Sequence, residues 1–415
     1  MGYIMKETEV TVIGGGIIGL SSAYHLAKEG VDVVLVEMEK IAAGASGANA
    51  GVIRRGDSVD TTDDIIYKKS FEMYQDWNRT NELGIDIEMK EISVLRCFKD
   101  EHIEKMRSGL WKRRLDNWNR EKLSLIRREE WNIPEPNLVE DISWGIETSS
   151  DMINIFRVCN GLSFAAKKYN AEILTNTKVK DIKLKNSKVQ KIITDRGEIK
   201  TNFAVDAAGA WAPHIGRMIG VEIPVLPAIG TALVTEPTPS FTNHERIIYD
   251  PLWFNPDQPF NNNSQDQYQR LGITTEIDRH EEEGNYLIGR SEHIVTLPQR
   301  TAKIPIEPET IKHISKSAIQ IVPKIKDIHV IRTYAGTRPV CEVDGKPIIG
   351  KVDNREGFII ATGLWHTGMS YGPMCGKLVS EMIVYDGTTI PIKKFEFSRF
   401  SEKDHFPYVH QFRGI

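Results

Sequence analysis

Gly14, Gly16 and Gly19, followed about twenty residues later by Glu37, are the first residues of this 415-residue chain whose types and spacing could do chemistry. Gly14 permits a tight turn, Gly16 lets a backbone approach a pyrophosphate, and Gly19 lets a helix pack closely on a sheet. A carboxylate at Glu37 can accept hydrogen bonds from ribose hydroxyls, and its charge argues against a 2′-phosphate and so against NADP. Together these residues read as a dinucleotide site.

The elements that must position them are legible on either side. Residues 10–13 (VTVI) form a β-branched run suited to a buried parallel strand. Ile17 and Ile18 lead into a helical stretch that Gly30 closes, and residues 31–36 supply a second strand before Glu37 and Met38. The helix N-terminus then aims its unpaired N–H groups at the phosphates. Residues 41–54 are rich in Gly, Ala, Ser and Asn, so the backbone around Ser46, Gly47, Asn49, Ala50, Gly51 and Val52 can lie against a ligand and donate N–H groups.

Further stretches complete a pattern. Residues 171–179, ending at Val179, and 204–212 (AVDAAGAWA), with Ala207, Ala208, Gly209 and Trp211, are two of the segments on which the resemblance named below rests. Near the C-terminus, DGKPIIG at 344–350 precedes GFIIATG at 357–363, then Leu364, Trp365, His366, and the approach to a last helix through Gly368, Met369 and Ser370. In this order, over nearly the whole chain, the segments resemble the D-amino-acid oxidase superfamily of FAD-dependent oxidoreductases. The likeness is to its branch of glycine oxidase, sarcosine oxidase β-subunit and dye-linked proline dehydrogenase.

That resemblance implies an α/β fold: a glutathione-reductase-type, Rossmann-like FAD-binding domain with an interleaved α+β substrate domain on a mixed sheet. It implies FAD as cofactor, touched by the glycines and small residues above and by Val179, Gly363, Leu364, Gly368, Met369, Ser370 and Arg338. The covalent flavin link of monomeric sarcosine oxidases uses a C-terminal cysteine. Here Cys341 falls at another offset and Thr337 lies closer to the expected place, so the FAD is expected to be non-covalent. Those oxidases also carry a lysine where the resemblance places Ser370 in this chain, which makes a dehydrogenase at least as well supported as an oxidase.

The implied reaction takes the C–N bond of a small amino acid (glycine, sarcosine, a D-amino acid or a proline-like acid) to an imine, by hydride transfer to flavin N5. Arg338 corresponds to the carboxylate-binding arginine of glycine oxidase, and a guanidinium grips a carboxylate through two parallel hydrogen bonds. His366 stands where glycine oxidase has a second arginine, and Arg54 aligns with an arginine near the flavin of sarcosine oxidases. Arg290 is a weaker candidate, and Tyr249, Trp253, Tyr334 and Trp365 are candidate aromatic walls. The last helix is expected to point its N-terminus at the flavin's pyrimidine end. Alternatives are an FAD-dependent glycerol-3-phosphate or 2-hydroxy-acid dehydrogenase, for which a base such as His366 would be decisive, and a non-catalytic FAD-binding subunit of an electron-transfer complex.

The organisation expected is a discontinuous cofactor domain (1–84, 150–223 and 330–415) interrupted by substrate-domain segments (85–149 and 224–329). Helices are expected at 63–81, 100–121 and 155–169, and strands at 85–94, 231–235 and 285–288. The polar stretch 254–269 reads as a solvated loop or a lid, and Lys112, Arg113 and Arg114 as a solvated helix face. Fifty-three Lys and Arg against fifty-seven Asp and Glu give a net charge of −4, which excludes a global basic field for nucleic acid. Four scattered cysteines without a CxxC exclude a disulfide scaffold, and no metal site is expected. With no apolar run long enough to span a bilayer and no signal peptide, the expected compartment is the cytoplasm. Expected partners are a small anionic substrate and an electron acceptor (a quinone, a dye-like carrier, a partner subunit or O2), with homo- or hetero-oligomers both compatible.

Overall fold

A computed structural model describes residues 4–55, 62–105, 124–243, 246–250, 270–279, 284–295 and 305–400. Trp253, the 254–269 stretch and Lys112–Arg114 lie outside the described residues, as does the helix expected at 100–121 beyond its first part, Asp100–Lys105.

Two mixed sheets organise the described residues. In the first, the central strand Ile4–Ile13 lies parallel between Gly197–Asp206 and Val33–Val36. Phe358–Thr362 and Glu172–Leu174 extend the two sides in parallel, and Ile348–Lys351 adds an antiparallel edge. Period-two alternation explains its β-branched runs, because both faces are covered. Val10, Val12, Val33 and Leu35 meet one core under the helices Ile17–Lys28, Ile155–Lys168 and Gly368–Val384, whereas Ile13, Val34 and Val36 meet the other. The first helix starts at Ile17, directly after extended Gly16, with no acidic residue in its first turn.

The second sheet runs in the order His293–Ile294, Val225–Thr235, Tyr286–Gly289, Glu276–Arg279, Arg246–Tyr249, Lys90–Lys99, Ile142–Met152 and Val52–Ile53. Val330–Cys341 pairs along Val225–Thr235, so this segment, expected with the cofactor-binding part, belongs to the second sheet as its partner strand. The strand expected at 85–94 begins later, at Lys90, because Glu88 turns through a left-handed φ of 55° and donates its N–H to the Asp86 carboxylate at 2.9 Å. One row of this sheet (Leu233, Ile288, Ile277, Ile248) packs beneath the helix Pro308–Ile321. The adjoining row (Tyr334, Ala232, Gly289, Glu276, Tyr249) therefore faces the opposite side.

Half-buried in the first helix, His25 is pushed down to about 3 by loss of solvent, with Lys377 and Lys28 adding repulsion. The unfolded imidazole titrates near 6.5, so below that pH the unfolded chain binds a proton that the folded chain refuses until about 3, and stability falls across that window. His25→Gln removes this loss. Its melting temperature relative to wild type is expected to rise as pH drops from 7.5 to 4.5, by the equivalent of about 3 kcal/mol. A difference independent of pH contradicts the assignment.

Candidate active site

A cavity of about 520 Å³ runs from the tip of the first strand to the second sheet, within the size range of small-molecule and cofactor sites. At its nucleotide end the glycine turn is bare backbone. Gly14 has φ 112°, and a Cβ there would lie 2.4 Å from the Ala207 carbonyl oxygen. Gly16, Ile17 and Ile18 line the wall beside it, and the Ser46 hydroxyl accepts the Ile17 N–H at 3.0 Å. Glu37 and Met38 line the next stretch. The Glu37 carboxylate accepts the Gly15 N–H at 2.7 Å and the Glu39 N–H at 2.8 Å, while burial raises its pKa overall. One bond on each oxygen leaves further lone pairs for ribose hydroxyls.

Asn49 and Ala50 reach the wall from the small-residue segment, Val179 from the hairpin, and Ala207, Ala208 and Trp211 from the turn after Asp206. Gly209 and, at the N-terminus of the last helix, Gly368 both line the cavity, and a Cβ on either would meet no protein atom within 4 Å. Leu364 and Met369 complete this side. The first turn of that helix has no acidic residue and no side-chain cap, so its positive end faces the cavity undiminished. Bare glycine backbone, a helix start with no acidic residue in its first turn and a carboxylate for ribose fit a dinucleotide with an extended second half, as FAD has.

The opposite end is charged. Arg338, side chain 16% exposed, leans across from its strand onto Gly230, where a Cβ would lie 2.4 Å from Nη2. Its Nη1 donates to Glu292 Oε1 at 3.4 Å. The same carboxylate accepts Trp365 Nε1–H at 2.6 Å and meets His366 Nε2 at 2.9 Å. Burial alone would raise Glu292, but His366, Arg338 and Trp365 hold it at about 2. Burial lowers His366 to about 4 against the pull of Glu292, with Arg338 and Arg290 repelling the charged form. The arrangement is a neutral imidazole whose Nε2–H goes to an anionic Glu292. Trp365 takes a left-handed φ of 45° to bring its indole there.

Tyr334, raised to about 12 by burial, lines the same end with Arg290 and Glu276. Glu276 is ion-paired with Arg290 and accepts Tyr249 O–H at 3.1 Å. Glu276, Glu292 and Gly230 carry no motif in the sequence. Only the register, which sets Tyr334 beside Ala232 and Gly289 beside Glu276, shows which face they share.

Several expected contacts fall elsewhere. Arg54 is off the cavity wall: its guanidinium stacks over the Tyr67 ring at 5.7 Å and its N–H bonds Ser370 Oγ at 3.0 Å. That bond engages the Ser370 hydroxyl, and Ser370, unlike Gly368 and Met369, is off the cavity wall. Gly19 serves packing, since a Cβ there would sit 2.0 Å from the Gly14 oxygen. Gly47 lies against the Ala42 carbonyl, Gly51 against that of Ile153, and Gly363 behind Leu364 against Ile348, while Val52 pairs with Met152. Cys341 is buried, with its sulfur 3.8 Å from Arg399 Nη2, and no cysteine lines the cavity. Among the described residues no cluster could hold a metal ion and no helix is long and apolar enough to cross a membrane.

Gly230→Ala tests the Arg338 seat. The methyl group displaces the flexible guanidinium rather than backbone, so flavin content is expected to hold while half-saturating substrate rises at least about tenfold. Unchanged saturation contradicts this seat.

A family model described as FAD dependent oxidoreductase (DAO) matches residues 9–382, and the chain belongs to that family. It is 25% identical over 388 residues to glycine oxidase of Bacillus subtilis (strain 168), covering 91% of this chain and 94% of that one. It is 24% identical over 440 residues to hydrogen cyanide synthase subunit HcnC of Pseudomonas aeruginosa, covering 95% and 97%. The crystal structure of L-proline dehydrogenase from P. horikoshii superposes with a TM-score of 0.76 at 25% identity, covering 95% of this chain and 99% of that one. Glycine oxidase from Geobacillus kaustophilus shares the fold with a TM-score of 0.78 at 21% identity, covering 96% and 100%.

Proposed function

We propose that this FAD-dependent oxidoreductase oxidises the C–N bond of a small amino acid to an imine, which water then hydrolyses. The observation that carries the reading is Arg338: a largely buried guanidinium on the wall of the same cavity as the glycine turn, beside a neutral His366. A planar cation in this setting takes a carboxylate through paired hydrogen bonds. Bound FAD would supply the two-electron acceptor for the substrate's Cα–H.

The chain's own residues do the rest. Gly14, Gly16, Ile17 and Glu37 hold the nucleotide, and Gly209, Leu364, Gly368 and Met369 border its flavin half. The FAD is held without a covalent link, the Cys341 sulfur lying against Arg399. Glu292, anchored by Trp365 and His366, fixes Arg338 from behind. Tyr334 and Trp365 wall the substrate and exclude water. His366, neutral at pH 7, can bond the substrate without adding charge.

The test is an anaerobic screen of the FAD-loaded protein. Bleaching of the flavin by glycine, sarcosine, a D-amino acid or proline supports the reading. Bleaching by glycerol 3-phosphate or a 2-hydroxy acid with amino acids inert overturns it in favour of alcohol oxidation. No bleaching by any of them favours a non-catalytic subunit.

A further inference from the structure

Glu276 is a buried carboxylate, 5% exposed, on the wall of the cavity, and the reaction above leaves it without a role. Tyr249 and Arg290 each bond one of its oxygens, which holds the group in place and leaves lone pairs on both. Its Oε2 lies 3.8 Å from where a Cβ on Gly289 would be, so the carboxylate overhangs a floor made by glycine backbone and Ala232.

The sheet register gives the gap between this carboxylate and Arg338. The guanidinium lies over Gly230, two residues along the strand from Ala232, and Ala232 pairs with Gly289. Strand rise and strand spacing then separate the backbone beneath the guanidinium from that beneath the carboxylate by about 8 Å. In an α-amino acid the nitrogen and the carboxylate carbon are about 2.5 Å apart. With the carboxylate C–O bond added and a hydrogen bond of about 2.9 Å at each end, such a molecule spans about 9 Å.

Charge agrees with distance. Two guanidiniums, Arg338 and Arg290, stand against two carboxylates, Glu292 and Glu276. The site is balanced before substrate enters, which suits a zwitterion and leaves a simple carboxylate or a 2-hydroxy acid with uncompensated negative charge.

We propose that Glu276 receives the substrate's amino N–H while Arg338 holds its carboxylate, and that this two-point contact selects α-amino acids bearing at least one N–H. The inference rests on the amino-acid reading and adds the group that enforces it.

The experiment uses the FAD-loaded full chain under anaerobic conditions. Apparent dissociation constants for glycine and L-proline come from the concentration dependence of bleaching, and those for acetate and cyclopentanecarboxylate, their amine-free counterparts, from perturbation of the flavin spectrum. Glu276→Gln is expected to weaken the better-bound amino acid by about 10- to 100-fold, the range for a charge-assisted hydrogen bond. The amine-free carboxylates are expected to bind at least as well as to wild type, because neutralising Glu276 removes a negative charge that opposes them. Glu276→Asp keeps the charge and is expected to lose less than about tenfold; should Glu276→Gln not fold, the same selective loss in Glu276→Asp decides. Equal weakening of both ligand classes, or of neither, overturns the role of Glu276 while leaving the amino-acid reading intact. Failure of the wild type to bind any amino acid overturns that reading, and the inference with it.

Discussion

Arg338→Met is expected to raise the amino-acid concentration needed for half-maximal flavin bleaching by about 30- to 5000-fold, with FAD content unchanged. Removing one partner of a buried, hydrogen-bonded charge pair costs about 2–5 kcal/mol, which sets that range. The guanidinium contributes little to the nucleotide end, which the glycine turn and Glu37 form on the other sheet. Arg338→Lys is expected to recover only part of the loss, because an ammonium keeps the charge but not the planar pair of donors. A second readout separates binding from general damage. Arg338 lies among the cations that push His366 down, so its loss favours the protonated imidazole and moves the His366 titration upward from about 4. The acid limb of the bleaching profile should follow it toward neutral pH. Wild-type saturation in Arg338→Met would remove the guanidinium from substrate binding.

Gly14→Val is expected to yield a protein that purifies without FAD. The backbone at Gly14 sits at φ 112°, where side chains are strained, and a Cβ would lie 2.4 Å from the Ala207 oxygen and 2.8 Å from its carbonyl carbon. Neither is a flexible side-chain end, so the turn itself must open and the approach to the pyrophosphate is lost. Gly30→Ala is the control: its φ of 84° is also left-handed, but nothing lies within 4 Å of the added methyl. That variant is expected to lose about 1–2 kcal/mol of stability and keep its flavin. Flavin retained by Gly14→Val, or lost equally by Gly30→Ala, would show that close approach is not what the first glycine provides.

How much of this could be read without coordinates divides along the two sheets. The nucleotide end is encoded locally. Gly14, Gly16, Ile17, Ser46 and Glu37 lie within a short stretch, and the strand–turn–helix unit that carries them leaves a strong pattern in the sequence. The substrate end is not local. Arg338 was legible through resemblance, but its seat on Gly230 depends on the pairing of Ala228 with Arg338 and of Gly230 with Gly336. Glu276 and Glu292 sit in short strands and connections far from Arg338 in sequence, and their meeting with it is a product of antiparallel register, which one sequence does not reveal. Arg54 stands off the cavity wall for a related reason. Spacing put it at the end of the small-residue segment, whereas Tyr67, on the helix Thr62–Thr80, draws its guanidinium away. The Ser370 hydroxyl accepts the Arg54 backbone N–H.

The most direct test of the account is a crystal structure of the FAD-loaded protein grown with acetate or cyclopentanecarboxylate. The account predicts the ligand's carboxylate paired with Arg338 over Gly230, the FAD pyrophosphate against Gly14 and Gly16, and open space toward Glu276 where an amine would reach. A carboxylate bound away from Arg338, or a nucleotide seated anywhere but this glycine turn, would contradict it.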